Sequence, residues 1–159
     1  MMTSDATRTV ERFYSHVTAR SWDDLKAVLD AGVERIGPFG DRLVGRDAYL
    51  DFLRGTIPTD YRNDVLRITA AADGRSAFAR VSEHLRYPER ELQLEEVCSF
   101  EIAENGLISR IEVFWQTPDR DPAGFGSATS DASYSSRGSA SRDAFVQHMN
   151  QSNRTKARG

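Results

Sequence analysis

Two glutamates of this chain fall where apolar side chains are expected. In the run 91–103, Leu92, Leu94, Cys98, Phe100 and Ile102 share one face of a period-two strand, and Glu96 belongs to the same set. In the run 76–87, Ala77, Ala79, Val81, Leu85 and Tyr87 share a face with Glu83. A turn near Glu89-Arg90 would set Glu83 directly opposite Glu96, roughly 5 Å apart at Cβ. Two carboxyls that close in an apolar setting resist ionising together, so one pKa rises or a cation sits between them. Arg35 is the candidate cation. Such a set suits general acid–base work: an arginine holds one acid ionised while another donates a proton. Three readings stay open at this point, namely a solvated or purely structural polar rim, a ligand-binding polar patch, and acid–base catalysis.

The elements that must position these groups follow from periodicity. Val10, Phe13, Tyr14 and Val17 predict a helix over 5–20. Ser21 is placed to cap a second helix, with Asp23 and Asp24 in its first turn and Leu25, Val28 and Leu29 on its apolar face; Gly32 ends it. Residues 33–37 read as a short strand, Pro38 as a turn, and 46–55 as a third helix with Tyr49, Leu50 and Leu53 inward. After Pro58 the period changes to two. Runs 62–72, 76–87, 91–103 and 107–117 are separated by Asp73-Gly74, Pro88-Glu89 and Asn105-Gly106, of which the Asp-Gly and Asn-Gly pairs are strong hairpin signals. The expectation is an α+β domain with three N-terminal helices on one face of an antiparallel meander.

The 159 residues suffice for one domain with a real core. Composition, 39% apolar and 28% charged, is that of a globular chain, and a net charge of −3 gives no reason to expect nucleic acid as a partner. A single cysteine excludes an internal disulfide. No apolar run reaches membrane-span length, and Met1–Arg8 lacks a signal-peptide core, so no membrane partner and a cytoplasmic location are expected. The domain is read as 1–118. Residues 119–159, rich in Ser, Gly and Ala, read as a disordered tail with one helical island at 142–151. His16 and His84 have no partner at metal-ligand spacing, so no metal site is expected. Arg110 and Glu112 alternate with Ile111, Val113 and Trp115 and read as an outer-face pair. Phosphate loops, dinucleotide fingerprints and nucleophile elbows are missing from the sequence.

The stretch Gly37-Pro38-Phe39-Gly40 with Gly45-Arg46-Asp47, and the ending Asn105-Gly106-Leu107-Ile108 through Phe114-Trp115, give a more specific signal. In this order of elements the chain resembles the ketosteroid isomerase and SnoaL-like branch of the nuclear transport factor 2-like superfamily. The resemblance implies a cone-shaped, curved mixed or antiparallel sheet with the helices on its concave face (a cystatin-like α+β roll) and a pocket for a small hydrophobic, oxygen-bearing molecule. It also implies chemistry without a cofactor, such as isomerisation, cyclisation, dehydration or epoxide opening, and a homodimer.

Ketosteroid isomerases carry a base before the Pro-Phe-Gly turn, a helix-one tyrosine and a late-strand acid. The corresponding positions here are Gly37, Phe13 and Cys98, so steroid isomerisation by that set is not expected. The residues left to act are Glu96 as acid or base, Glu83 as its partner, Arg35 as orienting cation and Tyr14 as hydrogen-bond donor. Phe13, Gly37, Phe39, Tyr49, Cys98, Ile111, Val113 and Trp115 would line the pocket. A non-catalytic ligand binder or dimeric interaction module is the alternative.

Overall fold

The computed structural model describes residues 5–116; the expectations for 119–159 lie outside them. Helices α1 (Asp5–Ala19) and α2 (Trp22–Val28) lead into β1 (Leu29–Ile36) and β2 (Arg42–Val44). Helix α3 (Arg46–Thr56) follows, then β3 (Asp60–Ala70), β4 (Ser76–Arg86), β5 (Glu91–Ile102) and β6 (Ile108–Gln116). The six strands form one curved, unclosed sheet in the order β2-β1-β6-β5-β4-β3. Every neighbouring pair is antiparallel except β1 with β6, so the sheet is mixed rather than a pure meander. A bulge between Val65 and Arg67 leaves Leu66 as an extra residue and bends β3.

The helices cover the concave side. Ala6, Val10, Phe13, Tyr14 and Val17 form the buried stripe of α1, which lies over β3 and β4. Tyr49, Leu50 and Leu53 do the same for α3 against β1. Beneath them lie Ala77, Ala79, Val81, Phe100, Ile108 and Ile111, all essentially without solvent contact.

Two local expectations need correction. Helix α2 stops at Val28, and Leu29 opens a strand in register with Ile108 of β6. Leu29 fits the helical spacing of Leu25 and Val28, but pairing and burial in the sheet prevail over that local preference. Ser21 makes no side-chain cap; only its carbonyl joins the helix, accepting from the Leu25 amide at 2.8 Å. Strand β2 was not foreseen, because three residues with mostly exposed side chains carry no pattern.

Candidate active site

The β4–β5 hairpin sets the site. Tyr87 and Arg90 close a two-residue turn over Pro88-Glu89, with Tyr87 N–H donating to the Arg90 carbonyl at 2.8 Å. This register pairs Glu83 with Leu94 and Glu96 with Val81. The two glutamates are therefore diagonal, not directly opposite as a turn at Glu89-Arg90 would require. The difference is two residues, so both side chains keep the concave face. On the next strand, β6, Glu96 faces Trp115. On β3, Glu83 faces Asn63.

Each carboxyl has its own partners. Glu96 is 7% exposed and accepts a hydrogen bond from the Cys98 thiol at 3.4 Å. Glu83 accepts one from the Tyr61 hydroxyl at 2.5 Å. Asn63 Nδ2 donates to the Tyr61 oxygen at 3.2 Å and to the Tyr14 carbonyl at 3.3 Å, which ties β3 to α1 at this point. Arg35, also 7% exposed, lies in register with Ile111 and stacks its guanidinium 4.5 Å from the centre of the Phe52 ring. Its Nη1 donates to Asp41 Oδ2 at 2.7 Å. The Tyr14 hydroxyl is buried beside the Cys98 thiol and has no other hydrogen-bond partner among the described residues.

Burial raises the pKa of the groups around Glu96. The Glu96 carboxyl is pushed up to about 8, first by burial and then by the charge of Glu83; the Cys98 thiol and Arg35 pull the other way. Burial also raises Glu83, opposed by the Tyr61 hydrogen bond and by Arg35. Of the pair, Glu83 takes the negative charge first, and Glu96 keeps its proton into the neutral range. Burial and the Glu83 charge lift the Tyr61 hydroxyl far above its usual range, so it remains a donor. Tyr14 is raised by burial, then by Cys98 and Glu96. Tyr49 is raised by burial against the opposing pull of Arg35, and Cys98 by burial and then by Glu96. A neutral carboxyl and a protonated hydroxyl can each donate a proton, and an arginine can hold negative charge.

The sequence-derived lining residues fall into three groups. Cys98, Ile111 and Val113 lie on the concave face, with Cys98 and Val113 directly paired. Phe13 and Tyr49 stack at 6.5 Å between centroids, and Phe13 meets Phe100 edge-on at 5.4 Å. Phe39 packs edge-on against Trp115 at 5.5 Å. Gly37 contributes no side chain, and the space beside it is taken by Asp41 and Arg35. His84 lies on the outer face, 3.3 Å from Asp64, and Arg110 pairs with Glu112 at 2.6 Å. His16 has a buried Nε2 without a partner among the described residues.

Tyr61, Asn63 and Asp41 were missed by sequence reasoning. The alternation of Tyr61 and Asn63 could have revealed that pair had the strand been started at Asp60; Asp41, in a turn, carried no periodic signal. Among the described residues no group of three or more His, Cys, Asp or Glu could hold a metal, and no helix is long and apolar enough to cross a membrane.

Residues 10–111 match the family model of the SnoaL-like domain. Among solved structures, a "putative ketosteroid isomerase" from Kribbella flavida DSM 17836 is 27% identical, with a TM-score of 0.65 over 74% of this chain and 82% of that one. An LEH-like epoxide hydrolase of Mycobacterium tuberculosis is 19% identical, with a TM-score of 0.62 over 70% and 83%. RV0760c of Mycobacterium tuberculosis, in complex with estradiol-17beta-hemisuccinate, is 16% identical, with a TM-score of 0.65 over 72% and 95%. Among curated proteins none matches this chain.

Proposed function

We propose that this chain, which belongs to the SnoaL-like family, is a cofactor-free acid–base enzyme acting on a small hydrophobic, oxygen-bearing molecule. The observation that carries this reading is Glu96: a buried carboxyl on the concave face, pushed up to about 8 and so protonated at neutral pH. A carboxylic acid with that pKa can give its proton to a ligand oxygen and recover it from solvent, because its pKa lies close to the operating pH. Glu83, held by Tyr61, supplies the negative charge that keeps Glu96 protonated. Arg35 acts on both carboxyls through its charge, and the buried Tyr14 hydroxyl, beside Cys98, is the donor for a ligand oxygen.

The reaction classes that need only these parts are isomerisation, cyclisation, dehydration and epoxide opening. An epoxide hydrolase and a protein complexed with a steroid ester share the fold, which supports that range and an apolar ligand. The test is turnover of a panel of hydrophobic epoxides, enones and hydroxyketones by the full chain and by Glu96→Gln. The variant is expected to keep its circular dichroism spectrum and to lose about 10²–10⁴-fold in rate. A fully active Glu96→Gln protein overturns the reading. Compounds that bind tightly and return unchanged would point instead to a ligand carrier.

The same proposal includes a homodimer formed through the outer face of the sheet. Val97 and Phe114 oppose each other there, 42% and 57% exposed, and Phe78 is exposed on the same face of the sheet. Exposed aromatic and branched side chains grouped in this way mark a surface that is covered in the working protein.

A further inference from the structure

Gly37 lies beside two charged side-chain ends. Its backbone is not in the left-handed region, unlike Gly40 in the same turn at φ +77°. Conformation therefore does not require a glycine here. The space beside it is nonetheless occupied: a Cβ at position 37 would meet both carboxylate oxygens of Asp41 and Arg35 Nη1, the far ends of two side chains that would have to shift to admit it. The turn brings Asp41 back onto this spot, with Gly37 N–H donating to the Asp41 carbonyl at 2.8 Å and Gly40 N–H to the Gly37 carbonyl at 3.0 Å.

Residues 35 and 37 are two apart in one extended segment, so they point the same way. Arg35 points into the buried interior, and a side chain on residue 37 would start toward that side of the sheet. That place is filled by a carboxylate reaching in from four residues further on. Arg35 then lies 2.7 Å from Asp41 and within electrostatic reach of Glu83 and Glu96, its guanidinium held against the Phe52 ring.

We propose that Asp41 is a positioning residue of this site: its carboxylate replaces the side chain that position 37 lacks, fixes the Arg35 guanidinium and offsets its charge. Asp41 thereby limits how far Arg35 can draw Glu96 into its ionised form. The charged and titratable groups around Glu96 are Tyr14 from α1, Arg35 from β1, Tyr49 from α3, Tyr61 from β3, Glu83 from β4 and Cys98 from β5. Of these, Arg35 is the cation. Removing the Asp41 charge frees Arg35 to act on Glu96 and removes a negative charge from the neighbourhood, and both changes favour ionised Glu96. The consequence for catalysis rests on the acid–base reading above; the measurement below needs no substrate and stands apart from it.

The test is the carboxyl-carbon NMR titration of the full chain labelled at glutamate Cδ, with the Glu96 signal identified by its loss in Glu96→Gln. In Asp41→Asn the Glu96 midpoint is expected to fall by about one pH unit, the low end of what an unmatched cation nearby does to a carboxyl. The double variant Gly37→Asp/Asp41→Gly returns a carboxylate to the same spot from the other end of the turn and is expected to restore the midpoint. A merely structural ion pair would lower thermal stability in Asp41→Asn and leave the Glu96 midpoint in place, which overturns the proposal. A folded double variant whose midpoint stays low overturns it as well, and this arm decides the matter if Asp41→Asn alone does not fold.

Discussion

Replacing Glu96 by glutamine should change how the stability of this protein depends on pH, and the structure sets the sign and the scale. The folded carboxyl titrates at about 8 against an ordinary 4.5. Between those values the folded state holds a proton that the unfolded state has already released, so stability falls as pH rises. Below about 4.5 both states hold the proton and nothing is lost; above about 8 both have released it and the full loss is present. Across that window, at about 1.4 kcal/mol per pH unit, the loss is roughly 5 kcal/mol, part of it shared with Glu83 because the two carboxyls titrate as a pair.

Glutamine has nearly the same shape and no charge at any pH, and its oxygen can still accept from the Cys98 thiol. Glu96→Gln should therefore match the wild type near pH 5 and exceed it by a few kcal/mol at pH 9. Urea unfolding of both proteins at closely spaced pH values from 5 to 9 measures this directly, read at constant m. Parallel curves for the two proteins across that range would refute the reasoning, because they would mean that Glu96 is hydrated in the folded state.

Two further outcomes follow from the same geometry. Tyr61→Phe removes the hydroxyl that donates to Glu83 and accepts from Asn63, so it should cost about 2 kcal/mol in urea unfolding at pH 7 and raise the Glu83 midpoint; a change below about 0.5 kcal/mol would show that this hydrogen bond is not made in solution. Phe114→Arg places a charge in the exposed patch with Val97 and should convert a species of twice the chain mass to a monomer in sedimentation equilibrium, with the circular dichroism unchanged. A wild-type chain that sediments as a monomer at high concentration would refute the dimer.

What could be read from the sequence and what could not divides along physical lines. Strand faces were legible because a period of two needs only the residues of one strand. Glu83 and Glu96 were placed inward from that pattern alone, and the error in hairpin register did not disturb it, since a slip of two preserves facing. Their distance did depend on register, and there the notional pairing failed: the turn is made by Pro88-Glu89, which leaves the carboxyls diagonal. The end of α2 was misjudged for a related reason. Leu29 satisfies the helical spacing of Leu25 and Val28, and only its partner across the sheet, Ile108, makes it a strand residue. Asp41 lies furthest from sequence reasoning. Nothing periodic marks it, its side chain is half-exposed, and its place in the site comes from a turn that folds it back over Gly37. The family resemblance marks position 37 as lacking a base, and nothing in the sequence says what fills the space beside it; the fold of the turn, which sets the Asp41 carboxylate against Gly37 and Arg35, is needed for that.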